Sequence, residues 1–105
     1  MKNLEDIMKM AATMQAEIEK AQATLEAIEV EGVSGGGLVK VRATAKGRVN
    51  GLDIDVSLLS PDSKEMTEDL VVAAFNDARA KAEEAAGRHM QALTAAMPMP
   101  PGFRP

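Results

Sequence analysis

The sequence has no cysteine, tryptophan or tyrosine, only one histidine, His89, and only two aromatic side chains, Phe75 and Phe103. Without cysteine there is no disulfide framework and no thiolate metal site. A lone histidine excludes a histidine cluster for a metal or a proton relay, and His89, at the edge of a helical stripe, reads as a packing or surface residue. No stretch approaches the roughly 20 apolar residues of a membrane helix, because the longest uncharged segment, His89 to Phe103, is interrupted by Pro98, Pro100 and Pro101. The opening "MKNLEDIMKM" places Glu5 and Asp6 where a secretory leader needs an apolar run, so the expected location is the cytoplasm. No serine has a plausible His–acid partner, so neither an enzyme nor a small-molecule substrate nor a cofactor is expected.

What the chain does have is acid, methionine and helical periodicity. Sixteen acids against twelve lysines and arginines give a formal net charge of −4, a composition that argues against nucleic-acid binding. Eight methionines suit close, adaptable helix contacts. With 105 residues and two aromatics the core is small, which leads to the expectation of a dimer.

Three segments follow from the periodicity. Leu4, Ile7, Ala11, Met14, Ile18, Ala21, Leu25 and Ile28 recur at alternating steps of three and four, which predicts a helix over about 3–28 with one narrow apolar seam. The seam is expected to pack on the second helix of the same chain, with a seam between subunits as the alternative. From Ala27 to Leu59 the period changes to two, predicting strands at about 28–33, 38–44 and 49–56. A loop over Ala45–Arg48 sets Val41 opposite Leu52 and Val39 opposite Ile54 on one face, with Lys40 opposite Asp53 on the other. Asn50-Gly51 then marks a weak or bulged strand start rather than the turn. Ser60-Pro61 opens a helix over about 62–96, and Asp62 with Glu65 has capping-box spacing. Its expected stripe is Val71, Phe75, Ala78, Ala82, Ala85 and His89, widened by Leu70 and Ala74, and Asp77/Lys81, Arg79/Glu83 and Glu84/Arg88 are expected surface pairs. Gly87 is expected to loosen the helix locally. Pro98 stops the helix, leaving one domain at 1–97 and a proline-rich tail at 98–105.

The segment "GVSGGGLVKVRATAKGRV", 32–49, concentrates five glycines and the cations Lys40, Arg42, Lys46 and Arg48, with no acid between Glu31 and Asp53. It is not a phosphate-binding loop. Gly32 and Gly37 have Walker spacing, but Leu38-Val39 follows where Lys-Ser/Thr is required, and a strand rather than a helix comes next. Lys40 stands where a dinucleotide loop needs its third glycine. The glycines are expected to connect strands. Asp53 and Asp55 are paired carboxylates, but Lys40 across the ladder offers a structural partner, which weakens a general acid–base reading.

"GLVKV" at 37–41, "DVSLL" at 55–59, "KEMTEDLVVAAFNDA" at 64–78 and "MPPGF" at 99–103 resemble the YbaB/EbfC family of bacterial nucleoid-associated proteins, in the same order over almost the whole chain. Val56 departs from that pattern, since the family commonly has proline after the aspartate. The resemblance implies an α+β fold, an α-β-β-β-α subunit with an antiparallel three-stranded sheet and two long helices, forming a tweezer-like homodimer with associated sheets and projecting helical arms. It implies binding of duplex DNA with little sequence preference in the nucleoid. It also implies recombination or replication proteins as candidate partners, and an acidic protein-interaction scaffold is the alternative function.

On that architecture Lys2, Lys9, Lys81 and Arg88 lie on the distal arms and are the leading candidates for phosphate contact, each pair seven residues apart and so on one helix face. Lys46 and Arg48, near a hairpin tip without an acid close by in sequence, rank second. The absence of neighbouring aromatics argues against base stacking. The absence of an Arg/Asn cluster on either helix argues against base readout in the major groove.

Overall fold

A computed structural model describes residues 3–96, the last of them by its backbone alone. The element order is α1 (Leu4–Ala27), β1 (Glu29–Ser34), β2 (Val39–Thr44), β3 (Val49–Ile54) and α2 (Lys64–Ala96), with short 3-10 turns at Gly35–Gly37, Val56–Leu58 and Pro61–Ser63. The strands form one antiparallel sheet in the order β1-β2-β3. This is the α+β, α-β-β-β-α layout expected. Lys2 and the tail from 97 lie outside the described residues.

Each element has a local cause. The side chain of Asn3 caps α1 by accepting from the Asp6 N–H at 2.9 Å, while Glu5 and Asp6 complement the positive end of the helix dipole. Gly35, Gly36 and Gly37 have φ of 60°, 69° and 101°, a run that side-chain-bearing residues resist, and together they reverse the chain between β1 and β2. Thr44 and Arg48 close the next turn: the Thr44 N–H donates to the Arg48 carbonyl at 2.8 Å, and the buried Thr44 hydroxyl accepts from the Arg48 N–H at 3.2 Å.

The β2–β3 register is the one expected, with Val39 against Ile54, Lys40 against Asp53 and Val41 against Leu52. Asn50 is the extra residue of a bulge, because Arg42 faces Gly51 while Ala43 faces Val49. The core lies between this sheet and α2, made of Val39, Val41, Ala43, Leu58, Ala74 and Ala78, with Val30, Ile54, Leu70 and Val71 against it.

The closest approach is at Gly32 on β1. A Cβ there would collide with the Ala74 carbonyl and the Ala78 N–H, and would stand 2.7 Å from the Ala78 Cα. Glycine on the strand and alanine on the helix let α2 lie directly on β1 and β2. Polar clips fix it there. The Ser34 hydroxyl donates to the Leu70 carbonyl at 2.6 Å, the Val33 N–H donates to Asp77 at 2.9 Å, and Lys81 donates to the Glu31 carbonyl at 2.9 Å.

Several expectations need correction. The apolar seam of α1 does not pack on α2; α1 has no buried residue, and Leu4 is 70% exposed. The capping box at Asp62 and Glu65 is replaced by the Pro61–Ser63 turn, and α2 begins at Lys64. The buried stripe of α2 runs through Ala74 rather than Phe75, which is 36% exposed, because the contact with Gly32 admits only a small side chain. The third strand ends at Ile54, where Asp55 turns outward to cap the Val56–Leu58 turn.

The contact at Gly32 yields a contrast. Gly32→Ala is expected to destabilise the protein by about 2–3 kcal/mol, since backbone atoms must shift, lowering the melting temperature by on the order of 10 °C or more. At Gly51 an added Cβ meets only the flexible guanidinium of Arg42, so Gly51→Ala is expected to cost less than about 1 kcal/mol. Thermal unfolding of the two variants checks this, and equal losses would contradict it.

Candidate nucleic-acid interface

The molecule is long for its mass. Its extents are 71 × 27 × 16 Å and its radius of gyration is 20.4 Å, against about 13 Å for a compact domain of this length. The length comes from the N-terminal part of α1 and the C-terminal part of α2, which extend beyond the sheet as an arm. Between them runs an open apolar cleft of about 480 Å³, lined by Met14, Ile18, Ala21, Leu25, Met90 and Leu93 among others. A second open cleft of about 500 Å³ lies beside β3, between Val49 and the Phe75–Arg79 side of α2.

The cations fall into two groups. Lys81 is held between Asp77 at 3.0 Å and the Glu31 carbonyl, so it belongs to the clip between α2 and β1. Arg88 bonds Glu84 at 2.8 Å, Arg79 sits 3.5 Å from Glu83, and Lys64 sits 3.0 Å from Glu68. All four are i,i+4 pairs, and three were expected from spacing alone. Lys46 and Arg48, read as lacking an acid nearby, have one in space: Glu26 from the last turns of α1 approaches them at 3.6 and 3.9 Å. Asp53 pairs with Arg42 rather than Lys40. Gly51, directly opposite Arg42, leaves the space across which the guanidinium reaches the carboxylate. Exposed pairs of this kind are weak because solvent and salt screen them.

Among the described residues, Lys9, Lys20 and Lys40 have no carboxylate within 4 Å. Lys9 was expected as a site residue. Lys20, eleven residues on from Lys9, lies on the same helix face. Lys40 stands singly on the open face of the sheet, opposite Asp53. The structure therefore does not gather the candidate cations into one cluster. It leaves α1 with free lysines and commits Lys81 and Arg88 to partners. The paired carboxylates are also separated in role, Asp53 with Arg42 and Asp55 with the Ser57 hydroxyl and N–H, which hold Asp55 below the usual carboxylate range. His89 is half-buried, with its Nε2 enclosed and lacking a hydrogen-bond partner among the described residues. No helix among them is long and apolar enough to cross a membrane.

Fold and surface together define an α+β subunit with a clipped helix–sheet body and a projecting two-helix arm. Residues 1–97 match the YbaB/EbfC DNA-binding family, and the chain belongs to that family. Proteins named nucleoid-associated protein from a Bradyrhizobium species and from Rhodopseudomonas palustris are each 54% identical to it over 97 residues, 92% of this chain and 92% of the relative. One from Nitrobacter hamburgensis is 53% identical over the same shares. A crystal structure of an uncharacterized protein from Helicobacter pylori shares the fold with a TM-score of 0.74 at 25% identity, covering 92% of this chain and 100% of that one.

The clip predicts a pH effect. The Val33 N–H, and secondly Lys81, hold the Asp77 carboxyl below its ordinary value. A depressed carboxylate contributes stability that is fully present above the unfolded-state value of about 3.9 and is lost as pH falls through the folded-state value. Urea unfolding of wild type and Asp77→Asn, compared at about pH 7 and about pH 3, should show a difference that shrinks in acid. A gap that stays constant with pH would contradict this role.

Proposed function

We propose that this protein is a nucleoid-associated protein of the bacterial cytoplasm that binds duplex DNA as a homodimer, chiefly through phosphate contacts and with limited sequence selectivity. The observation that carries the reading is membership, over residues 1–97, of a family defined by DNA binding. Names of relatives more than half identical agree with it.

The difference between the two edges of the sheet supports the homodimer. On β1 the outward N–H of Val33 and carbonyl of Glu31 are occupied by Asp77 and Lys81, so that edge is closed to another strand. By the alternation of the ladder, Leu52 and Ile54 present their backbone groups outward from β3. No side chain among the described residues reaches them. Val49 and Leu52, 47% and 42% exposed, flank that edge, and Phe75 and Val72 continue the apolar surface on α2. Pairing two β3 edges would join the sheets at the centre and send the arms outward.

The formal charge of −4, with most described cations already paired, favours a second reading, an acidic dimeric scaffold for recombination, repair or replication factors. Titration of duplex DNA over a range of salt concentrations separates the two readings. Affinity should fall linearly on a log–log plot with a slope of about −0.9 per phosphate contact, whereas absence of binding at the lowest salt favours the scaffold. Sedimentation should show a dimer for wild type and a folded monomer for Leu52→Lys. A Leu52→Lys protein that remains dimeric would contradict assembly through β3.

A further inference from the structure

The α1 helix has two opposite faces with different fates. The C-terminal part of its seam, Met14, Ile18, Ala21 and Leu25, lines the open cleft where Met90 and Leu93 stand. Lys9 and Lys20 lie on the reverse side, both exposed, and eleven residues at about 100° each bring them within about 20° of the same direction. The three intervening turns separate their Cα atoms by about 16 Å.

Resting on the DNA-binding reading, we infer that this reverse face of α1 lies across the major groove of duplex DNA, with Lys9 on one phosphate wall and Lys20 on the other. The groove is about 12 Å wide between its walls, and flexible four-carbon lysine stems adjust a spacing of about 16 Å to the phosphates that border it. What lies between the two lysines fits contact without base reading. Ala12 and Ala16 offer no polar side-chain group, while Thr13, whose hydroxyl donates to the Lys9 carbonyl at 2.9 Å, borders the cleft toward α2. Selectivity among sequences is therefore weak, since the lysines are directed to phosphates, which carry no sequence information, and the alanines between them have no hydrogen-bonding side chain. Glu5 stands one turn before Lys9, outside ion-pair distance, and tempers the positive face, while the lysine–phosphate contacts themselves make binding salt-sensitive.

The test compares Lys9→Gln/Lys20→Gln with Lys64→Gln and Arg79→Gln as controls, using mixed-sequence duplexes, with circular dichroism and sedimentation confirming fold and assembly. The lysine pair is expected to flatten the salt dependence by about 1.8 for each subunit engaged and to weaken binding at least tenfold at low salt, while each control changes affinity less than about threefold. Methyl green, which occupies the major groove, should compete with the wild-type protein, and netropsin in the minor groove should not. A wild type that binds duplex with a salt slope untouched by the lysine pair, or that yields to netropsin and not methyl green, overturns the inference and leaves the DNA-binding reading standing. A wild type that binds no duplex at the lowest salt overturns both.

Discussion

The structure depends on the contact of α2 with β1 at Gly32. A strand residue without a side chain faces Ala74 and Ala78, and helix and sheet backbones meet more closely than a Cβ on the strand would permit. Everything that orients α2 follows from this approach. Asp77, Lys81 and Leu70 are brought to the margin of β1, where they meet the Val33 N–H, the Glu31 carbonyl and the Ser34 hydroxyl. The same placement leaves β3 beyond the helix, with Val49, Leu52 and Phe75 partly in solvent. One edge of the sheet is thus sealed by side chains of its own chain, and the other is available to a second chain.

The body and the arm divide the physical work. The body contains the buried residues, small aliphatics tightly packed around Val39 and Val41. The arm buries little within one subunit, and its apolar seam and methionines stay exposed. An amphipathic helix in that state needs company for stability. On the proposed homodimer, assembly would be part of folding rather than an addition to it.

Much of the fold was legible because it rests on local alternation. Val39 and Val41 on one strand and Leu52 and Ile54 on the next admit one register with all four on the same face, and the bulge at Asn50 followed from that register rather than from turn statistics. What was not legible depended on through-space neighbours. A heptad seam says that a helix faces something apolar, not what it faces, so α1 was assigned to α2. Phe75 seemed a better core residue than Ala74 until Gly32 imposed a size limit. Glu26 meets Lys46 and Arg48 only after the hairpin folds back to the end of α1, and Arg42 reaches Asp53 only because Gly51 leaves room. Lys20 was in plain view. A spacing of eleven signals one helix face as well as seven does.

The central claim is that α2 closes the β1 edge and leaves β3 for a partner subunit. Amide hydrogen exchange, followed residue by residue as protein concentration rises, tests it most directly. The Val33 N–H, bonded to Asp77 within the subunit, should be protected at every concentration at which the chain is folded. The Leu52 N–H should exchange freely in dilute solution and become protected in step with dimer formation measured by sedimentation. A Leu52 amide that still exchanges freely in a fully dimeric sample, or a Val33 amide whose protection requires the dimer, would contradict the account.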